Sequence, residues 1–86
     1  MAYTVEYSKE AARDLVHMPR DIADLVRDKI NILAQDPFAP NNNATKLQGR
    51  EGYRLRLGDW RIIYTVDQKR VVVLVVKIGV RGGIYK

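Results

Sequence analysis

The sequence predicts an α+β domain in which an antiparallel β-sheet carries an N-terminal helical hairpin on one face. Two stretches with helical spacing of apolar residues follow each other between residues 9 and 35. Three strand-like runs follow after residue 52, and one short alternating run precedes the helices. The predicted order is therefore β-α-α-β-β-β, and segregated helices and strands are typical of α+β domains. With 86 residues, the whole chain, 1–86, is predicted to form a single domain.

The first half of the chain contains a strand, two helices and a loop. Residues 2–7 alternate and predict the first strand, and Ser8 is suited to cap a helix from Lys9 to His17. The inward face of this helix is predicted to hold Ala12, Leu15 and Val16. Pro19 suits the first turn of a second helix, which ends at Asp36 and Pro37. Its predicted apolar face is Ile22, Leu25, Val26, Ile30 and Leu33. Residues 36–52 read as a long loop with a functional or wrapping role.

The segment from 53 to 64 predicts a β-hairpin with Gly58 and Asp59 in its turn. A two-residue turn pairs Leu57 with Trp60, Arg56 with Arg61, Leu55 with Ile62 and Arg54 with Ile63. Because side chains alternate along a strand, one face is predicted to be core and the other to carry three arginines. The core face holds Leu55, Leu57, Trp60, Ile62 and Tyr64, whereas Arg54, Arg56 and Arg61 share the opposite face.

The last strand is predicted at residues 71–78, after a turn at 67–70. Its nearly continuous apolar run is the pattern of a central strand that is covered on both faces. Gly79 is expected to interrupt this strand. Arg81 and Tyr85 follow it closely, among glycines that allow the backbone to fold back.

The charge of the chain is unevenly distributed. The net charge is +5, but residues 1–43 carry five Lys/Arg and seven Asp/Glu (−2), whereas residues 44–86 carry ten and three (+7). Such asymmetry favours a nucleic acid or an acidic protein as partner, although basic side chains that only solvate the strands would give the same count. The absence of cysteine excludes disulfides and thiolate metal sites and leads us to expect a cytoplasmic protein. No membrane span and no signal peptide are expected.

The arginines are the main candidates for chemistry, because a guanidinium matches phosphate oxygens and stays charged. Like charges directly opposite each other in a sheet are unfavourable, so their grouping indicates a polyanionic ligand. Arg81 with Tyr85 forms a second candidate group, Lys46 is a candidate phosphate contact, and Glu51 is a weak candidate base. The single histidine, His17, excludes a mechanism with two histidines, and no acidic group has metal-ligand spacing. We expect no metal and no cofactor.

Three stretches of the sequence resemble the RelE/ParE superfamily of toxin–antitoxin toxins. They are residues 46–49 (KLQG), residues 53–64 (YRLRLGDWRIIY) and residues 75–81 (VVKIGVR) followed by Tyr85. The resemblance covers essentially the whole chain and favours the RelE branch. It implies a toxin that cuts mRNA in the ribosomal A site, where the RNA's own 2′-hydroxyl attacks the neighbouring phosphorus without a metal.

The resemblance also implies roles for individual residues. Arg61 corresponds to the arginine that holds the scissile phosphate, and Arg81 to the one that steadies the transition state or leaving group. Tyr85 corresponds to a tyrosine that stacks on or orients the RNA. Arg54 and Arg56 stand where some RelE proteins have two lysines, but arginine is effectively never deprotonated and is a poor general base.

Two other functions are compatible with the sequence. A ParE-type toxin would inhibit DNA gyrase without cutting RNA, and a basic binding module would bind RNA or DNA without turnover and with salt-sensitive affinity. Either toxin would have a cognate acidic antitoxin, RelB-like or ParD-like, which we expect to wrap around the sheet face and the 36–52 loop. The RelE reading adds the ribosome and mRNA as partners.

Overall fold

The computed structural model describes residues 2–80 of the chain, and within them the predicted α+β class is confirmed. Two helices and five strands follow one another in an order close to the predicted one. They are β1 (Thr4–Tyr7), α1 (Lys9–His17), α2 (Arg20–Gln35), β2 (Ala44–Lys46), β3 (Tyr53–Leu57), β4 (Trp60–Asp67) and β5 (Val72–Val80).

The strands form one mixed sheet in the order β1-β5-β4-β3-β2. The expected antiparallel arrangement holds for β2 with β3, β3 with β4 and β4 with β5, but β1 runs parallel to β5. A tight hairpin forces its two strands to be antiparallel, whereas β1 and β5 are joined through the rest of the chain and are free of that constraint. The last strand is an interior strand as predicted, because β5 lies between β1 and β4. The prediction that both of its faces are covered is wrong, since Val73, Val75 and Ile78 are buried whereas Leu74 and Lys77, on the face opposite the helices, are only partly buried.

The predicted hairpin register is confirmed at every pair. Leu57 lies opposite Trp60 and Arg56 opposite Arg61, and the ladder continues through Leu55–Ile62 and Arg54–Ile63. Gly58 has a φ of +58°, a backbone angle that residues with a Cβ rarely adopt, so glycine suits the start of this turn. The two faces of the hairpin are therefore those that alternation predicts.

Two other predictions for the sheet region are wrong. The 36–52 loop contains β2, whose three residues are too few to show an alternating pattern. The last strand also continues through Gly79 to Val80, where Gly79 pairs with Arg61. A strand tolerates an isolated glycine when the partner strand supplies the ladder hydrogen bonds, as β4 does here.

Helix α1 begins where expected but turns a different face inward. The Ser8 hydroxyl accepts a hydrogen bond from the Ala11 amide at 3.0 Å and caps the helix. Ala11 and Leu15 are buried, whereas Val16 is 79% exposed and Ala12 is also exposed, so the predicted inward face was wrong for those two positions. The buried residues continue to Met18, beyond the end of the helix, and the whole stripe follows i, i+4, i+7 spacing.

The core lies between the helix pair and one face of the sheet. Helix α2 contributes Ala23, Val26, Ile30, Leu33 and Ala34, and the sheet contributes Leu55, Ile62, Tyr64, Val73, Val75 and Ile78. The predicted apolar face of α2 was wrong for Leu25, which is exposed, and Ile22 is only partly buried. The Tyr64 ring stacks on the Tyr53 ring with centroids 5.4 Å apart. Leu57 and Trp60 are partly buried and pack against the same cluster, as the hairpin register predicts.

Burial of the Tyr64 side chain predicts alkaline destabilisation. Burial, followed by the proximity of Tyr53, raises the pKa of Tyr64 to about 12 from the ordinary 10.0. The folded chain therefore holds this proton more tightly than the unfolded chain, so the resulting stabilisation is complete below pH 10 and is lost as pH rises towards 12. Urea unfolding at a series of pH values should show this fall, and Tyr64→Phe should make it shallower. An unchanged slope in that variant would contradict this assignment.

Helix α1 also completes the edge of β5 beyond the end of β1. The Ser8 hydroxyl donates to the Val76 carbonyl at 2.7 Å, and the Asp14 carboxylate accepts from the Ile78 amide at 3.0 Å. Lys77 Nζ lies 3.3 Å from Asp14 and 3.4 Å from Glu10. Desolvation lowers the pKa of Lys77, but the hydrogen bonds and charges of these carboxylates outweigh it and leave that pKa raised. Side chains of α1 and of its cap residue Ser8 thus satisfy a strand edge that no strand covers among residues 2–80.

Loss of the Asp14 carboxylate should destabilise the fold. Asp14→Ala leaves the Ile78 amide without its acceptor and Lys77 without one of its two partners, and should cost about 1–3 kcal/mol of unfolding free energy in urea. Asp24→Ala is a matched control because Asp24 is exposed and makes one helical ion pair with Arg27, worth about 0.3–0.5 kcal/mol. Equal losses in the two variants would show that the edge contact is unimportant.

Candidate nucleic-acid interface

Arg54, Arg56 and Arg61 lie on the face of the sheet opposite the helices, which we call the arginine face. Arg56 and Arg61 are direct cross-strand partners, and Arg54 lies two pairs further along, on the same face, opposite Ile63. Because β3 and β4 form a two-residue hairpin, the three side chains are presented close to a rigid turn. The structure thus brings together the three arginines that the sequence pattern singled out.

Arg61 is the most constrained of these side chains. It is only 9% exposed, and its Nη1 donates to the carbonyl oxygens of Gly58 and Trp60 at 3.0 and 3.1 Å. No carboxylate among residues 2–80 lies within 4.0 Å of the Arg61 guanidinium. A charge that is removed from water usually has an ionic partner. Within the described part of the chain, the positive charge of Arg61 is therefore uncompensated and suited to bind an anion.

The neighbours of Arg61 shape the arginine face. The cross-strand partner of Arg61 on β5 is Gly79, which has no side chain to occupy the space next to Arg61. Ile63 is 4% exposed and lies outside the main hydrophobic cluster, so it forms an apolar floor on this face. Lys77 on β5 pairs with Ile63 and so adds a cation beside the arginine face. Its ammonium group is held by the carboxylates of α1.

Sequence reasoning missed Lys77 and Gly79 as neighbours of the arginines. The pairing of β4 with β5 is irregular between Ile63 and Tyr64, and this irregularity shifts the register. Alternation along a single strand cannot reveal such a shift. The one available signal was the glycine at position 79 in an otherwise apolar strand, which can mark a close approach of another group.

Two other candidates lie away from Arg61. Lys46 is exposed and pairs with Tyr53, so alternation places it on the helix side of the sheet and places Thr45 opposite Arg54. Glu51 borders a cleft with Thr65 and Asp67, at the end of the hairpin opposite the turn. Glu51 is five residues from Arg56 along the chain and precedes the start of β3, at the end far from the Arg56–Arg61 pair. The structure therefore does not place this carboxylate as a base beside Arg61.

Arg81 and Tyr85, the second candidate group, lie outside the described residues. Within the described part, 2–80, no group of three or more His, Asp or Glu side chains is arranged to hold a metal ion. In the same range, neither helix has the length and apolar character needed to cross a membrane.

Comparisons with known proteins agree with this architecture. Residues 5–85 match the family described as ParE toxin of type II toxin-antitoxin systems. The chain is 28% identical to toxin RelG of Mycobacterium tuberculosis and 30% identical to a Methanocaldococcus jannaschii chain named as a RelE1 toxin. Each alignment covers all of this chain and 98–99% of the relative.

Solved structures show the same similarity. The RelE chain of an archaeal RelE–RelB complex from Pyrococcus horikoshii superposes with a TM-score of 0.79 at 31% identity, over 96% of this chain and 99% of that one. The family match spans nearly the whole sequence, and the relatives are matched almost from end to end. The chain therefore belongs to the RelE/ParE family of toxins of type II toxin–antitoxin systems.

Proposed function

We propose that this toxin is a ribosome-dependent endoribonuclease that cuts mRNA without a metal and so inhibits translation. The observation that carries the proposal is Arg61, a nearly buried guanidinium without a carboxylate partner among residues 2–80 and directly opposite Arg56. Guanidinium groups from two cross-strand partners suit the oxygens of a phosphodiester and the negative charge that grows on it during cleavage.

In the proposed reaction, the 2′-hydroxyl of the RNA gives up its proton and attacks the adjacent phosphorus, while the bond to the 5′-oxygen of the next nucleotide breaks and that oxygen takes up a proton. The products are a 2′,3′-cyclic phosphate and a 5′-hydroxyl. Arg61 holds the scissile phosphate and stabilises the extra charge of the pentacovalent state. Arg56 and Arg54 contact neighbouring phosphates along β3, and Lys46 contacts RNA beyond the sheet edge. Arg81 and Tyr85 complete the proposal, as the stabiliser of the leaving group and the residue that orients the substrate.

Inhibition of DNA gyrase is the second candidate, because the family that matches residues 5–85 is described by its ParE member. The relatives reported above carry RelE or RelG names, which favours the RNA-cutting function. A gyrase inhibitor does not need an arginine positioned to stabilise a reacting phosphate. Only the RNA-cutting function therefore requires Arg61 in that role.

Purified components distinguish the two functions. The toxin is added to ribosomes paused on a defined message, and the message is mapped by primer extension. In parallel, the toxin is added to gyrase with relaxed plasmid. Cleavage within the A-site codon with normal supercoiling supports the proposal, whereas intact message with blocked supercoiling would replace it with the gyrase function. Salt-sensitive RNA binding with neither effect would indicate a binding module without turnover.

We also propose a cognate acidic antitoxin as partner, since the P. horikoshii RelE chain was solved in complex with RelB. A cleft of about 210 Å³ between α2 and β3 is lined partly by apolar residues, among them Ile32 and Leu55, and partly by polar ones, among them Lys29 and Arg56. An acidic amphipathic segment fits both features, because its apolar side covers the lining and its carboxylates face the two cations.

Binding of the acidic product of the neighbouring gene tests this partner. Ile32→Asp replaces an apolar contact in the cleft with a charge that must lose its water in the complex and that repels the partner's carboxylates, so it should weaken the complex at least about tenfold. Val16→Asp is a matched control, since Val16 is 79% exposed and lies on α1. Equal affinities of the two variants would rule out the cleft as the docking site.

A further inference from the structure

Among residues 2–80, the Arg61 side chain makes two hydrogen bonds, and both are to the backbone of its own hairpin. The acceptors are the carbonyls of Gly58, the first turn residue, and Trp60, the residue directly before Arg61. No side chain among residues 2–80 provides an ionic contact that would fix the guanidinium instead. The position of the Arg61 guanidinium therefore depends on the orientation of these two carbonyl groups, which the backbone conformation of the turn sets.

The shape of this turn depends on Gly58. Its φ of +58° lies in the left-handed region, where an L-residue with a Cβ is strained. A Cβ added at Gly58 would meet no heavy atom within 4 Å, so the requirement for glycine is conformational and not steric. A change at this position therefore alters the backbone of the turn without creating a clash.

We infer that Gly58 is a positioning residue for Arg61: its turn conformation directs two main-chain carbonyls that hold the guanidinium in place. Carbonyl groups orient the guanidinium without neutralising it, which a carboxylate would do. Only Nη1 takes part in these two bonds, so the edge formed by Nε–H and Nη2–H is not used by them. That edge is a fork suited to two oxygens of one phosphate.

This inference rests on the proposed function only for the identity of the ligand. The hold of the turn on Arg61 is a property of the free protein and can be measured without RNA. Misplacing a catalytic group by about 1 Å can lower a rate about 100-fold, so a small change in the turn is expected to matter for function.

A matched pair of glycines makes the test specific. Gly49 also has a positive φ, +75°, and an added Cβ there would likewise meet nothing within 4 Å. Gly58→Ala and Gly49→Ala therefore introduce similar backbone strain, and only the former lies in the turn that holds Arg61. A chain made by chemical synthesis with D-alanine at position 58 keeps the positive φ and serves as the conservative rescue.

Two readouts are compared across these variants. The first is the NMR spectrum of the Arg61 guanidinium, in which held Nη groups rotate and exchange slowly. The second is the affinity for a short single-stranded 2′-O-methyl RNA, with each glycine variant also made in an Arg61→Ala background. We expect Gly58→Ala to free the guanidinium and to weaken RNA binding about tenfold, within the loss that misplacement can cause. We expect Gly49→Ala and the D-alanine chain to behave like the unchanged protein.

The outcomes separate the inference from the proposed function. Unchanged guanidinium signals in Gly58→Ala, or an equal loss of RNA affinity when Arg61 is already alanine, would overturn the positioning role, because coupled residues cannot act independently. If the guanidinium signals respond as expected but Arg61→Ala binds RNA as well as the unchanged protein, the positioning role stands and the phosphate-binding function of Arg61 fails.

Discussion

Replacing Arg61 with alanine is expected to lower the rate of mRNA cleavage on the ribosome by about 10²–10³-fold, the usual effect of removing one preorganised donor to a developing oxyanion. The guanidinium is nearly buried and already held by two carbonyls, so little reorganisation is needed when the charge develops. Single-turnover cleavage of a ribosome-bound message measures the effect. Induced expression in cells should then no longer arrest growth.

Two further variants make this result specific. Arg61→Lys keeps the charge but not the planar fork, so we expect only partial recovery of the rate. Arg70→Ala removes an exposed arginine that pairs with Glu6 near the start of β5, away from the β3–β4 turn, and should leave cleavage unchanged. Full toxicity of Arg61→Ala with an intact fold would refute the mechanism.

Truncation of Ile62 to alanine is expected to lower the unfolding free energy by about 4–5 kcal/mol, the upper end of the range for a buried isoleucine. Ile62 is fully buried in the centre of the core, between Leu55 on β3 and Ile78 on β5. Strands and helices surround this site, so it cannot collapse to fill the cavity. The loss is comparable to the total stability of many small domains, and urea unfolding should find a largely unfolded chain.

The adjacent residue provides the matched control. Ile63 is also buried, but it lies on the arginine face and outside the main hydrophobic cluster. Long arginine side chains can shift to cover a smaller residue, so Ile63→Ala should cost only about 2 kcal/mol, the lower end of the same range. Equal losses at the two positions would show that the two faces are packed equally tightly.

The β3–β4 hairpin could be predicted in full because its information is local. A glycine at the turn and strict alternation on both sides determine the register, and the register determines which face carries the arginines. The helices were also predictable in extent, since Ser8 and the Asp36–Pro37 pair mark their limits. The inward face of α1 was not, because several apolar residues on a short helix allow more than one rotation, and packing against β5 selects one.

The candidate site shows the same division. The residue types and their common face follow from the sequence, whereas the way Arg61 is held does not. Its hydrogen bonds are accepted by backbone carbonyls, which every residue has. A pattern of side chains therefore cannot predict them. Lys46 and Glu51 are near the arginines in sequence, yet strand pairing places one on the helix side of the sheet and the other at the far end of the hairpin.

By itself, the amino-acid sequence determined the α+β class, the hairpin with its register and the grouping of positive charge on one face. These properties depend on contacts between residues close together in the chain. The tertiary structure alone decided the parallel pairing of β1 with β5, the seal of the β5 edge by Asp14, and the position of Gly79 beside Arg61. Each of these contacts joins residues far apart in the chain, so its geometry depends on the packing of the whole domain and not on any local pattern.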